Sequence, residues 1–137
     1  SQGGRSHHKA SMKLILNNGF DGWTQEERLV VANVARYHRK SPPKESHKNY
    51  AALDAKDQTK VRQLAGLLRI ADGLDRSHGS VVEKLDCDIE NDQVALNLVC
   101  RRDLHLEHYG FEKKRDLFES VFGLRISINN IKNSWDA

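Results

Sequence analysis

Near residue 79 the spacing of apolar residues changes from a helical period to strict alternation, and this change constrains the fold more than any other feature. Before it, Leu29, Val30, Val34 and Tyr37-His38 recur at three- and four-residue steps, as do Val61, Leu64, Leu67, Leu68 and Ala71. That spacing lines one face of a helix. After it, Leu85, Cys87 and Ile89, then Val94, Leu96, Leu98 and Cys100, alternate with other residues, as a half-buried strand requires. The period turns helical again over Glu112–Phe122 and alternates once more at Leu124, Ile126 and Ile128. The expected fold is mainly α followed by a small α+β part of order β-β-α-β. Its domains are a helical part over 1–78, a small α+β part over 79–129 and a loose tail over 130–137.

Local signals sharpen the elements. Thr24 followed by Glu27 has the capping-box spacing and opens a helix, which Ser41-Pro42-Pro43 stops because proline lacks an amide proton. A shorter helix is expected over Lys9–Asn18, ended by Asn17-Asn18-Gly19. The polar stretch Lys44–Tyr50 reads as a loop. The longest helix runs from about Asp54 to Leu74, with Val61, Leu64, Leu67, Leu68 and Ala71 inward, Lys60, Arg62, Gln63 and Arg69 outward, and Gly73 and Gly79 marking its end. Asn91-Asp92 suits a hairpin turn, and Gly123 caps the last helix.

Composition narrows the function classes. The chain has 137 residues, 38% hydrophobic and 30% charged, with two prolines, so it is globular rather than disordered. It contains no apolar run long enough to span a membrane and no apolar stretch of signal-peptide type at its start. Two cysteines, Cys87 and Cys100, exclude a disulfide scaffold; they read as small core residues of a reduced, cytoplasmic protein. A net charge of +3 admits an anionic partner without demanding one. The basic excess is too small, and strand aromatics too few, for a specific nucleic-acid module. The opening Ser1-Gln2-Gly3-Gly4, with the single methionine at Met12, reads as a piece of a longer protein.

Chemistry-bearing residues concentrate in the helical part. His7-His8, His38, and Asp72 with Asp75 are imidazoles and carboxylates on separate helices, able to converge on a divalent ion. The plainer reading makes His38 a half-buried packing residue or a helix C-terminal dipole partner. Arg5, Lys9, Arg36, Arg39, Lys40, Arg69 and Arg76 lie near these motifs, and arginine's planar fork suits phosphate. Lining one groove they would bind a polyanion; the default reading is a solvated helix face. Glycine-rich phosphate loops, serine nucleophile elbows and paired cysteine zinc motifs are absent from the sequence.

Three strings carry a family resemblance: His7-His8-Lys9-Ala10-Ser11, the helix Glu27–Lys40 with Arg36-Tyr37-His38-Arg39, and Val61–Ser77 with Leu67-Leu68-Arg69-Ile70-Ala71-Asp72-Gly73-Leu74-Asp75-Arg76-Ser77. Together with Lys114–Gly123 they resemble the C-terminal region of Ppx/GppA phosphatases, which are exopolyphosphatases and guanosine pentaphosphate phosphohydrolases. The resemblance implies that hydrolysis of phosphoanhydride bonds, dependent on Mg or Mn, belongs to two actin-like N-terminal domains whose glycine-rich loops this chain lacks. It implies an HD-like helical domain, incomplete at its N-terminus, that extends a polyphosphate groove and assists homodimer formation, without a cofactor of its own. By motif His8 (or His7), His38 and Asp72 match later metal ligands of HD phosphohydrolases, whereas the His-Asp dyad is missing. The alternatives are therefore a fragment of an HD-type nucleotide phosphohydrolase holding manganese, iron or zinc, or a purely structural interaction domain.

Overall fold

The computed structural model describes residues 7–17, 22–39 and 41–136, and of residues 7–9, 17 and 136 the backbone alone. A helical part precedes a small α/β part, as the change of period requires. The chain forms two compact units whose division falls between Ala65 and Gly66, inside a helix.

The first unit contains α1 (His7–Asn17), α2 (Gln25–Tyr37), the short α3 (Lys48–Ala51) and the first half of α4 (Ala55–Leu74). Its entry into α2 is the capping box read from the sequence. The Glu27 amide donates to Thr24 Oγ1 at 3.0 Å, and the Thr24 amide donates to Glu27 Oε1 at 3.2 Å. Helix α2 ends at Tyr37, with His38 as C-cap, four residues before Ser41. Its buried face carries Val30, Ala32, Val34 and Tyr37 together with a polar residue, Asn33. Asn33 Nδ2 donates to the Leu29 carbonyl at 2.9 Å and to the Asn49 carbonyl at 3.0 Å, tying α2 to α3.

The supposed loop before Tyr50 thus contains α3, and its reason is one aromatic. Tyr50 is buried, meets the Tyr37 ring edge-on at 6.0 Å, and its carbonyl accepts from Gln58 Nε2 at 3.1 Å. A single anchor of this kind leaves no periodicity to read. Tyr37 also lies with its hydroxyl 2.6 Å from His47 Nδ1. Helix α4 starts where Asp54 Oδ1 accepts the Asp57 amide at 2.7 Å.

The second unit contains the rest of α4, β1 (Val82–Glu90), β2 (Gln93–Cys100), α5 (His105–Phe122), β3 (Arg125–Asn133) and a closing 3₁₀ turn at Ser134–Asp136. The sheet order is β1-β2-β3, with β1 antiparallel and β3 parallel to β2. Parallel neighbours need a crossover, and α5 supplies it. Asn91 takes a left-handed φ of 55° in the tight turn joining β1 to β2. Gly123, at φ 65°, ends α5 with its amide on the Glu119 carbonyl at 3.0 Å.

Val94, Leu96, Leu98 and Cys100 point to one sheet face, where they pack with Phe111 and Phe118 of α5 and Ile70 and Leu74 of α4. The opposite face is polar. There Asn97 donates to Asp86 Oδ1 at 2.8 Å and Asp88 Oδ2 at 3.0 Å, and accepts from Asn130 at 2.9 Å.

Four further details differ from the sequence reading. Helix α5 begins at His105 rather than Glu112, because its first turns bury Glu107, Gly110 and Phe111, a set with no apolar rhythm. Strand β3 continues to Asn133, beyond the expected end at Asn129. An irregularity opposite Leu96 and Asn97 lets pairing with β2 resume at Asn130, so residues 130–133 are strand and not loose tail. Cys100 is buried as expected, whereas Cys87 is exposed, and both are free thiols.

The fourth difference concerns α4. Leu64, Leu67 and Leu68 are 45%, 49% and 45% exposed, while Arg69, expected outside, is buried at 8%. In the second unit the inward face is the glycine face. A Cβ at Gly66 would lie 3.1 Å from Phe118 Cα, and one at Gly73 would lie 2.7 Å from the Gly110 carbonyl oxygen. Gly73, next to the helix's last residue as expected, is therefore also a contact residue. Close approach of α5 to this face turns the leucines outward.

Candidate anion-binding cleft

Where the end of α4 passes α5, the two backbones touch through Gly73 and Gly110. Side chains flanking that contact enclose a cleft of about 310 Å³, lined by Asp72, Gly73, Arg76, Tyr109, Gly110, Lys113 and Lys114. Its size is at the lower end of ordinary ligand sites. Asp72 is in the last turn of α4, and Arg76 lies in the turn just after it. Tyr109, Lys113 and Lys114 come from one face of α5, where residues four apart are neighbours. Lys113 Nζ lies 5.5 Å from the centre of the Tyr109 ring, an approach at which the ring steadies the ammonium.

Among the described residues, three cations and one carboxylate line this cleft. The backbone contact at its floor means that no side chain fills the middle. The chemistry of this lining suits an anion several atoms long, since charge-assisted hydrogen bonds at separated points are strong.

The residues expected to bind polyanion divide as follows. Arg76 lines the cleft. Arg69 is buried one turn before Gly73, and removal from water lowers its guanidinium pKa below its ordinary value. In the first unit Arg36 and Arg39 are half-buried at the end of α2, and the Arg36 guanidinium lies 5.2 Å from the centre of the adjacent Tyr37 ring. Arg5, Lys40 and the side chain of Lys9 lie outside the described residues. Lys113, Lys114 and Tyr109 were not singled out from sequence. The available signal was the adjacent lysine pair one turn beyond Gly110.

The candidate metal ligands divide too. The side chains of His7 and His8 lie outside the described residues. His38 is half-buried with Nδ1 2.8 Å from the Ala35 carbonyl, the local bond of a helix-end histidine. Asp72 lies in the cleft of the second unit. Among the described residues no group of three or more His, Cys, Asp or Glu side chains is arranged to hold a metal ion.

The family model of Ppx/GppA phosphatase domain III matches residues 4–119. The chain belongs to the Ppx/GppA phosphatase family. The match covers every residue lining the cleft. Comparison with curated protein sequences finds no match at the threshold applied. No helix among the described residues is long and apolar enough to cross a membrane.

Proposed function

We propose that this Ppx/GppA domain III is a polyanion-binding and subunit-associating region of an exopolyphosphatase-like hydrolase that works in the cytoplasm. In this reading the phosphoanhydride bonds of polyphosphate or guanosine pentaphosphate are cut by actin-like domains of the same protein, which carry the divalent metal. This region holds the substrate chain and does not cut it. The cleft bearing Arg76, Lys113 and Lys114 over the Gly73–Gly110 contact is the observation that supports it. The exposed leucines of α4 are what association with further protein surface, a second subunit included, would cover.

The test is a titration with long-chain polyphosphate at low and raised salt, with released phosphate measured alongside. Binding of this kind is dominated by counterion release, so it weakens steeply with salt. The pair Arg76→Glu with Lys113→Glu is expected to lower affinity tenfold or more. Unchanged affinity in that variant overturns the cleft, and phosphate release by the isolated chain overturns the non-catalytic role.

A further inference from the structure

Strand β1 is an edge of the sheet, and among the described residues no strand pairs with its outer side. It is nine residues long and exposed from Glu83 to Glu90. Its register places Leu85, Cys87 and Ile89 opposite Leu98, Leu96 and Val94, on the face that α5 covers. Yet Leu85 is 49% and Ile89 66% exposed. The reason is the position of α5. Glu119 Oε2 accepts the Ile126 amide at 2.9 Å and Arg115 donates to the Ile126 carbonyl at 3.3 Å, which hold the helix over β3 and away from β1.

The other face of β1 carries Asp86, Asp88 and Glu90, with Lys84 at the bulged start beside Val82. Asn97 fixes Asp86 and Asp88 on that face. The edge therefore shows an apolar column on one side and an acidic column on the other, with open backbone groups between them.

Proteins guard such edges with charge, proline or cover. Here the guard is selective. A second copy pairing antiparallel about Cys87 would set Asp86 against Asp88 of the other copy, and in-register parallel pairing would set each aspartate against itself. Like charges directly opposite are destabilising. The carboxylates thus repel a second β1 and attract a strand of opposite charge.

We propose that the outer edge of β1 is a docking site for an extended protein segment in which lysine or arginine alternates with valine or isoleucine. The segment adds as a fourth strand. Its backbone pairs with β1, its basic side chains meet Asp86, Asp88 and Glu90, and its apolar side chains cover Leu85, Cys87 and Ile89. This surface is separate from the anion cleft and does not depend on it.

The experiment uses the full chain and a labelled nine-residue peptide alternating lysine and valine, with binding read by fluorescence anisotropy. That peptide is expected to bind at least tenfold tighter than one with the same lysines grouped at one end, and than one alternating glutamate and valine. Asp86→Lys with Asp88→Lys, both at exposed positions, is expected to reverse the preference toward the glutamate peptide. N-methylation of alternate peptide amides on the pairing side is expected to abolish binding. Equal affinity for the grouped peptide, or full affinity whichever set of alternate amides is N-methylated, overturns strand addition. Self-association of the chain in sedimentation that Ile89→Lys removes also overturns the proposal, because a second copy then owns the edge.

Discussion

Gly73 and Gly110 meet backbone to backbone. A Cβ built on Gly110 would stand 2.6 Å from the Gly73 carbonyl oxygen, and one on Gly73 would stand 2.7 Å from that of Gly110. Both glycines are inside helices, where alanine would ordinarily be favoured by about 1 kcal/mol. The contact reverses that preference. Gly110→Ala is expected to destabilise the second unit by about 1–3 kcal/mol, the usual cost of overpacking. Urea unfolding measures it, and a stabilised variant would mean that the two helices do not approach this closely. Gly22, with open space around its Cβ but φ 83°, is a contrasting site where alanine meets strain and no clash.

Glu107 is 1% exposed, and its Oε2 accepts the Ser77 amide at 2.7 Å. This bond pins the chain just after α4 to the first turn of α5. Glu107→Ala strands a backbone donor and is expected to cost about 1–3 kcal/mol. Glu107→Gln retains an acceptor oxygen and is expected to recover part of the loss in the same unfolding measurement.

The two thiols are expected to differ sharply toward a thiol reagent. Cys87 is exposed and reacts in the native protein, whereas Cys100 reacts only after unfolding. Burial, then the charges of Glu107 and Glu83, pushes the Cys100 thiol above its ordinary 9.0. Burial also raises Tyr37 and Tyr50 above their ordinary 10.0. For all three groups the folded protein holds its proton longer than the unfolded chain does. Their stabilising contribution is full below the ordinary values and falls as pH rises through them toward the folded values. Thermal melts are therefore expected to drop in midpoint above about pH 9, and Cys100→Ala is expected to blunt the first part of that drop.

Among the described residues, Asp72 is the one carboxylate that lines the cleft bearing Arg76, Lys113 and Lys114. Removing its charge is expected to tighten polyphosphate binding by about 0.5–1 kcal/mol, the scale of a partly exposed charge interaction. That corresponds to about two- to fivefold in affinity. Asp72→Asn in the polyphosphate titration checks it, and weaker binding would show that Asp72 positions a cation instead of opposing the anion.

How far the sequence determined this protein can be followed residue by residue. The capping box Thr24–Glu27, the Asn91 turn, the Gly123 cap and the alternation through β2 act within a few residues of chain, and the structure contains each of them. The family was legible for the same reason, since its motifs are contiguous strings. What tertiary structure decided is which face each element turns inward. Leu64, Leu67 and Leu68 have the ideal spacing of a buried stripe, yet two glycines bring α5 so close that the small-residue face wins the interior. Arg69 is buried by that same choice. Leu85, Cys87 and Ile89 alternate as faithfully as Val94, Leu96 and Leu98, but a single crossover helix covers two strands of a three-stranded sheet and leaves the third bare. The cleft is decided at the same level. Arg76 and Lys113 lie far apart in sequence, and only the Gly73–Gly110 contact makes them neighbours, because side-chain spacing specifies amphipathic faces and backbone approach selects among them.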